Sequence, residues 1–227
     1  MGLFGKDDDR ESANEDAEPD SDSFAARTSV AAVRRIVNAG IEGVGPLDPA
    51  SAVVAEARKS HEGVEEAIDA VVRAHLKLAA AGGFLTGVGG LLTMPVALPA
   101  NVIGFYALAA RMAAAVAEMR GYEPDTEQTR TALMLTLLGA DADDILRKAG
   151  VVGGGTMGSI ALNRVPKAAA MVINKGLGFR VATRLGARTM GRLGRAVPLA
   201  GGVIGAGLDT YLMKRIADQV REEFPAI

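Results

Sequence analysis

The chain has no cysteine and no tryptophan, only two histidines, and aromatic residues fill just 4% of its 227 positions. Without cysteine there is no disulfide, no thiolate nucleophile and no thiolate metal ligand. A reducing cytosol fits that usage. His61 and His75 are too few for a histidine-based metal site without carboxylate help. No HExxH is present, and Gly155-Thr156-Met157-Gly158-Ser159 is not a GxSxG nucleophile elbow. Gly153-Gly154-Gly155 lacks the Lys-Ser/Thr of a phosphate-binding loop, because Ser159 is followed by Ile160. No catalytic residue, metal or cofactor is expected, and the chain does not read as an enzyme. The opening Met1-Gly2-Leu3-Phe4-Gly5-Lys6 has neither a basic nor an apolar leader region, so no signal peptide is expected.

Acidic residues are missing from a long stretch. Ile145–Leu208 carries ten Lys or Arg and no Asp or Glu. The acids are concentrated elsewhere: residues 1–23 hold nine against two bases, a net of −7, which leaves +5 on the remainder. That polar opening has too little apolar area to order itself, so 1–23 is expected to be a disordered acidic tail ahead of one domain, 24–227. Charge of either sign is absent from Leu78–Ala110, 33 residues interrupted by Pro95 and Pro99 and rich in Gly. Each half is shorter than the roughly 20 apolar residues that cross a bilayer. A helical hairpin turning near Met94-Pro95 is expected, either packed in protein or dipping into lipid.

Helix signals recur along the rest and strand signals do not, so the fold class is all-α, a multi-helix bundle with Gly/Ala-rich hairpins. Helices are expected over Phe24–Glu42, from Asp48-Pro49 to Lys59 with Asp48 as cap and Pro49 at the first position, and over Gly63–Ala81 with Ser60 as cap. The second hairpin arm should end at Gly121-Tyr122. Asp125 with Gln128 resembles a capping box for Thr126–Leu138, and Asp141 can cap a helix to Ala149. Gly150, Gly154 and Gly158 have the four-residue spacing of close helix contacts. A basic helix should start near Val165. Ala196–Leu208 is uncharged with Gly201 and Gly205 four apart, ahead of an amphipathic helix over Asp209–Phe224. Small residues in such number predict helices in close backbone contact rather than a core of large side chains.

Several segments together resemble the EcsC family of bacterial proteins. They are GFLTGVGGLLTMPVALPAN (Gly83–Asn101), ARMAAAVAEMRGY (Ala110–Tyr122), LLGADADDILRKAG (Leu137–Gly150), VINKGLGFRVATRLG (Val172–Gly186) and VPLAGGVIGAGLD (Val197–Asp209). The similarity extends over about residues 28–224. Family members often carry an acid just ahead of the second Pro of the hairpin, where this chain has Ala97 in Met94–Pro99 (MPVALP). The family name comes from proteins encoded beside an ABC-transporter operon, and a hydrolase role has been suggested for the family. The resemblance thus implies a helical domain and an accessory relation to transport.

The arginines carry the sharpest functional signal. At about 100° per residue, Arg180, Arg184, Arg188, Arg192 and Arg195 fall within one third of a helix circumference. Apolar Phe179, Ala182, Met190, Leu193 and Val197 fall together away from them. That is the pattern of a helix lying on anionic lipid, where each base contributes about 1 kcal/mol. Lys167 and Lys175 extend the basic set. Gly186, Gly191 and Gly194 work against a continuous helix, and an ordinary solvated face is the plainer reading. Ten bases could also track phosphates, but Phe179 is the stretch's one aromatic, so no stacking platform exists and no nucleic-acid partner is expected. His75, Asn101, Asn174 and Asp209 stand beside apolar runs as a candidate polar site, as caps or interhelical hydrogen-bond partners.

The expectation is a cytoplasmic protein on the inner face of the cell membrane, binding anionic membrane lipids peripherally or by partial insertion. It would serve as accessory or scaffold to a transport or envelope system, with a membrane protein complex as candidate partner. A soluble helical module that binds another protein is the alternative, and a hydrolase stands third.

Overall fold

The computed structural model of the chain describes residues 19–88, 90–138, 141–150, 157–162, 169, 171–173, 175 and 198–227. This part is 83% helical without a strand, so the fold is all-α. Eight helices are named here among the described residues: α1 (Pro19–Glu42), α2 (Ala50–Ser60), α3 (Val64–Val88), α4 (Gly90–Met119), α5 (Glu127–Leu138), α6 (Asp141–Lys148), α7 (Met157–Leu162) and α8 (Pro198–Glu223).

Helix α1 begins at Pro19, five residues before the expected start at Phe24. The helix stops at Gly43 and Gly45, both with positive φ (80° and 57°), which glycine adopts without steric cost. Pro49 is the N-cap of α2, at ψ 157°, with no side-chain hydrogen bond to the cap. Asp48 and Pro49 therefore each sit one position earlier than expected. Ser60 is the last residue of α2 and not the cap of α3. Thr126, rather than Asp125, starts α5: its Oγ1 accepts from the Thr129 amide at 3.2 Å. Asp125 instead takes Arg130 at 3.1 Å.

The hairpin differs most from expectation. Helix α3 runs on to Val88, and α4 is helical from Gly90 through Pro95 and Pro99 to Met119. Met94 and Pro95 thus lie within a helix, and the expected turn is not at that place. Pro95 and Pro99 are the sixth and tenth residues of α4, and each gives up one backbone hydrogen bond without ending the helix, while Gly82, Gly83 and Gly87 lower helix preference towards the end of α3. Gly150 has φ 74° and follows the end of α6, and Gly154 lies outside the described residues. Ala196–Leu208 and Asp209–Phe224 were expected as separate pieces. From Pro198 they form one helix, and Asp209 lies in its middle.

Helix α4 is the axis. Ala109 to Ala117 are all buried, as befits a helix surrounded on every side. Its alanines let neighbours close in: a Cβ on Gly40 of α1 would meet the Ala110 Cβ at 2.7 Å and the Arg111 nitrogen at 2.8 Å. Helices α1, α2, α3, α5 and α8 all pack on it. Helix α5 is likewise buried continuously from Ala132 to Leu137, with the Thr136 hydroxyl donating to Ala132 O at 2.9 Å.

Candidate functional site

Helices α3 and α8 run antiparallel along most of their length. At one end Arg221 of α8 reaches Asp69 of α3 at 2.5 Å, and Phe224 is fully buried. Phe224 meets Tyr122 edge to face, with ring centroids 5.1 Å apart. Arg120 gathers that end: its guanidinium grips Glu65 at 2.9 and 3.1 Å and donates to Arg221 O and Phe224 O. Tyr122 OH donates to Pro225 O at 2.9 Å.

The other end contains no ion pair between these helices among the described residues. Gly83 lies against Gly205 and Gly87 against Gly201, backbone to backbone. A Cβ at Gly83 would strike Gly205 O, and one at Gly87 would strike Gly201 O. Phe84 and Val88 lean over Gly202, within 3.0 and 2.8 Å of where its Cβ would be. Asp209 is buried with Oδ2 2.8 Å from the Cβ position of Gly83. Asp209, expected as a cap or an interhelical partner, thus lies in the middle of α8 and against α3.

Because the glycines face inward, the large side chains of this end face out. Leu85 is 73% exposed, Val203 68%, Ile103 51% and Ile204 50%, joined by Phe84 and Val88. No charged residue lies between Lys77 and the end of α3, or between Pro198 and Asp209 on α8. Large apolar side chains left exposed in this number are candidates for an interaction face. Among the described residues one segment, Val102–Met119, is long and apolar enough to cross a membrane, but 72% of it is buried inside the fold, so it serves as core.

His75 is a packed histidine. Its Nε2 lies 3.1 Å from Arg111 Nε, which always donates, so Nε2 accepts and Nδ1–H donates to Val71 O at 2.8 Å. That arrangement needs the neutral ring. Burial first, and the Arg111 charge with it, push its pKa down to about 4 against the pull of the Val71 bond. Burial also lowers the Arg111 pKa, which Asp48 partly opposes. Arg111 Nη1 donates to Asp48 O at 3.4 Å, so the pair joins α3, α4 and the α1–α2 loop. Arg111 did not figure among the candidate residues. Its place in ALAARMAAAVA, a lone cation among small apolar residues, was the signal for a buried partner.

Of the other candidates, Lys175 is exposed on helical backbone. Asn101 lies in α4, and its side chain is outside the described residues, as are Lys167, Asn174, Arg180, Arg184, Arg188, Arg192 and Arg195. A cavity of about 540 Å³ opens between α1, α2 and the α4–α5 loop, lined by Glu42, Glu118, Glu123, Tyr122 and Asp125 among others. Burial raises the Glu118 pKa, while Arg130 holds Glu42 at 2.8 Å and Asp125 at 3.1 Å. Among the described residues no group of three His, Cys, Asp or Glu could hold a metal ion. No family model, no curated protein and no solved structure matches the chain.

Proposed function

We propose that this protein is a membrane-associated helical protein that meets an anionic lipid surface through the glycine-rich, apolar end of the α3–α8 pair. The observation that carries the reading is the outward set of Leu85, Val203, Ile204, Ile103, Phe84 and Val88 on helix segments without a charge. Water is a poor neighbour for such a surface, and lipid chains remove the cost. The ten bases of Ile145–Leu208, with no acid among them, supply the attraction to anionic headgroups. The arginines at 180, 184, 188, 192 and 195 belong to that stretch and to the same proposal. So do the EcsC resemblance, a place on the cytoplasmic face, and an accessory or scaffold role beside a transport or envelope system.

Fractionation of cells expressing the chain tests the reading. The protein should pellet with membranes and stay there through high salt and alkaline carbonate. Release by salt alone would move the attachment from the apolar end to the basic stretch, since surface charge contacts are screened over about 10 Å at 0.1 M salt. Recovery wholly in the soluble fraction would overturn it and point to a protein partner on the same face.

A further inference from the structure

We infer that the apolar end enters a single leaflet, to a depth set by Lys77 and Tyr211, and does not cross the bilayer. The inference rests on the membrane reading above and narrows it to one occupant, the acyl chains of the facing monolayer.

Length decides between dipping and spanning. The charge-free part of α3, Leu78–Val88, has eleven residues, and so does Pro198–Leu208 of α8. At 1.5 Å per residue each arm reaches about 16 Å. The hydrocarbon core is about 30 Å thick and needs about 20 residues to cross, so each arm matches half of it. The two arms lie side by side, because Gly83 meets Gly205 and Gly87 meets Gly201. Among the described residues, the segment long and apolar enough to cross, Val102–Met119, is held within the bundle.

The boundary residues suit an interface. In the same antiparallel register Lys77 falls level with Tyr211, and both are exposed, Tyr211 at 56%. An aromatic with a polar tip and a lysine that snorkels are the residue types that settle at headgroup level. Polar groups beyond that level are covered. The Thr86 hydroxyl donates to Gly82 O at 2.8 Å, and Asp209 is buried against Gly83 rather than turned outward.

The absence of tryptophan makes the test clean, because any introduced Trp is the sole indole reporter. Leu85→Trp, Val203→Trp, Tyr211→Trp and Glu222→Trp replace exposed residues and are checked for fold by circular dichroism. Each is mixed with anionic phosphatidylglycerol-containing vesicles carrying nitroxide quenchers at headgroup or at deep acyl positions, in the outer leaflet only or in both. Binding is read on the same samples by sedimentation. The expected result is strong deep-acyl quenching for the Leu85 and Val203 positions, headgroup quenching at Tyr211, and none at Glu222. Inner-leaflet quencher should add nothing. Two results would overturn the inference while leaving membrane association standing. One is sedimentation without quenching of the Leu85 and Val203 reporters, and the other is added quenching from the inner leaflet. Failure to sediment at all would remove the membrane reading and the inference with it.

Discussion

Where α3 begins and α8 ends, Arg221 reaches Asp69, Arg120 clamps Glu65, and Phe224 fills the core; where α3 ends and α8 begins, glycine backbones touch with no side chain between them. The same helix pair is thus joined by side chains at one end and by their absence at the other. The first arrangement buries large groups and leaves charges outside, which suits water. The second sends every large apolar group outward, which suits lipid. Tolerance to substitution should differ accordingly: removal of side-chain volume damages the first end, and addition of volume damages the second.

The largest effect should come from Phe224→Ala, which empties a fully buried aromatic site and should cost about 3–5 kcal/mol in urea unfolding. The next concerns acid. His75 has its pKa lowered from 6.5 to about 4 on folding, so the unfolded chain binds its proton more readily. Stability should therefore be fully present above about pH 6.5 and fall as pH drops towards 4, by up to about 3 kcal/mol at 1.36 kcal/mol per unit. His75→Gln cannot titrate, and its stability should lack that slope between pH 4 and 6.5; an unchanged slope would remove His75 as its source. At the glycine end, Gly87→Ala forces a Cβ against the Gly201 carbonyl and should cost about 1–3 kcal/mol. Gly207→Ala on the same helix as Gly201 meets nothing within 4 Å and should stabilise by up to about 1 kcal/mol. If both alanines behaved alike, the close seam would be wrong. Smallest of all should be Asp69→Asn. It weakens a half-exposed pair with Arg221 and should shift the urea midpoint less than any of the others.

Much of this fold was legible in the residues. Helix ends at Gly43, Gly121 and Gly150 follow from glycine's access to positive φ, and all three are observed there. Prevalence of Ala and Gly did foretell backbone-close helices, as at Gly40 against α4. The turn of the hairpin did not read correctly, because Pro95 and Pro99 look like breakers in one dimension. The helix α4 continues through both, so neither ends it. The unity of α8 was hidden for a related reason: four glycines and a mid-helix Asp209 lower local helix preference, and contact with α3 overrides it. Of the candidate polar residues, Asp209 and His75 could be placed beside apolar runs but not given partners. Gly83 and Arg111 come from distant parts of the chain, and no spacing encodes such a meeting. The four-residue spacing was visible within Ala196–Leu208, and its match to Gly83 and Gly87 on α3 needed the fold.

Hydrogen exchange with and without anionic vesicles compares the two ends in one measurement. The account predicts that vesicles slow amide exchange in Leu78–Val88 and Pro198–Leu208 and leave Val64–Val72 and Met213–Glu223 unchanged. Equal protection at both ends, or protection at neither while the protein sediments with the vesicles, would contradict it.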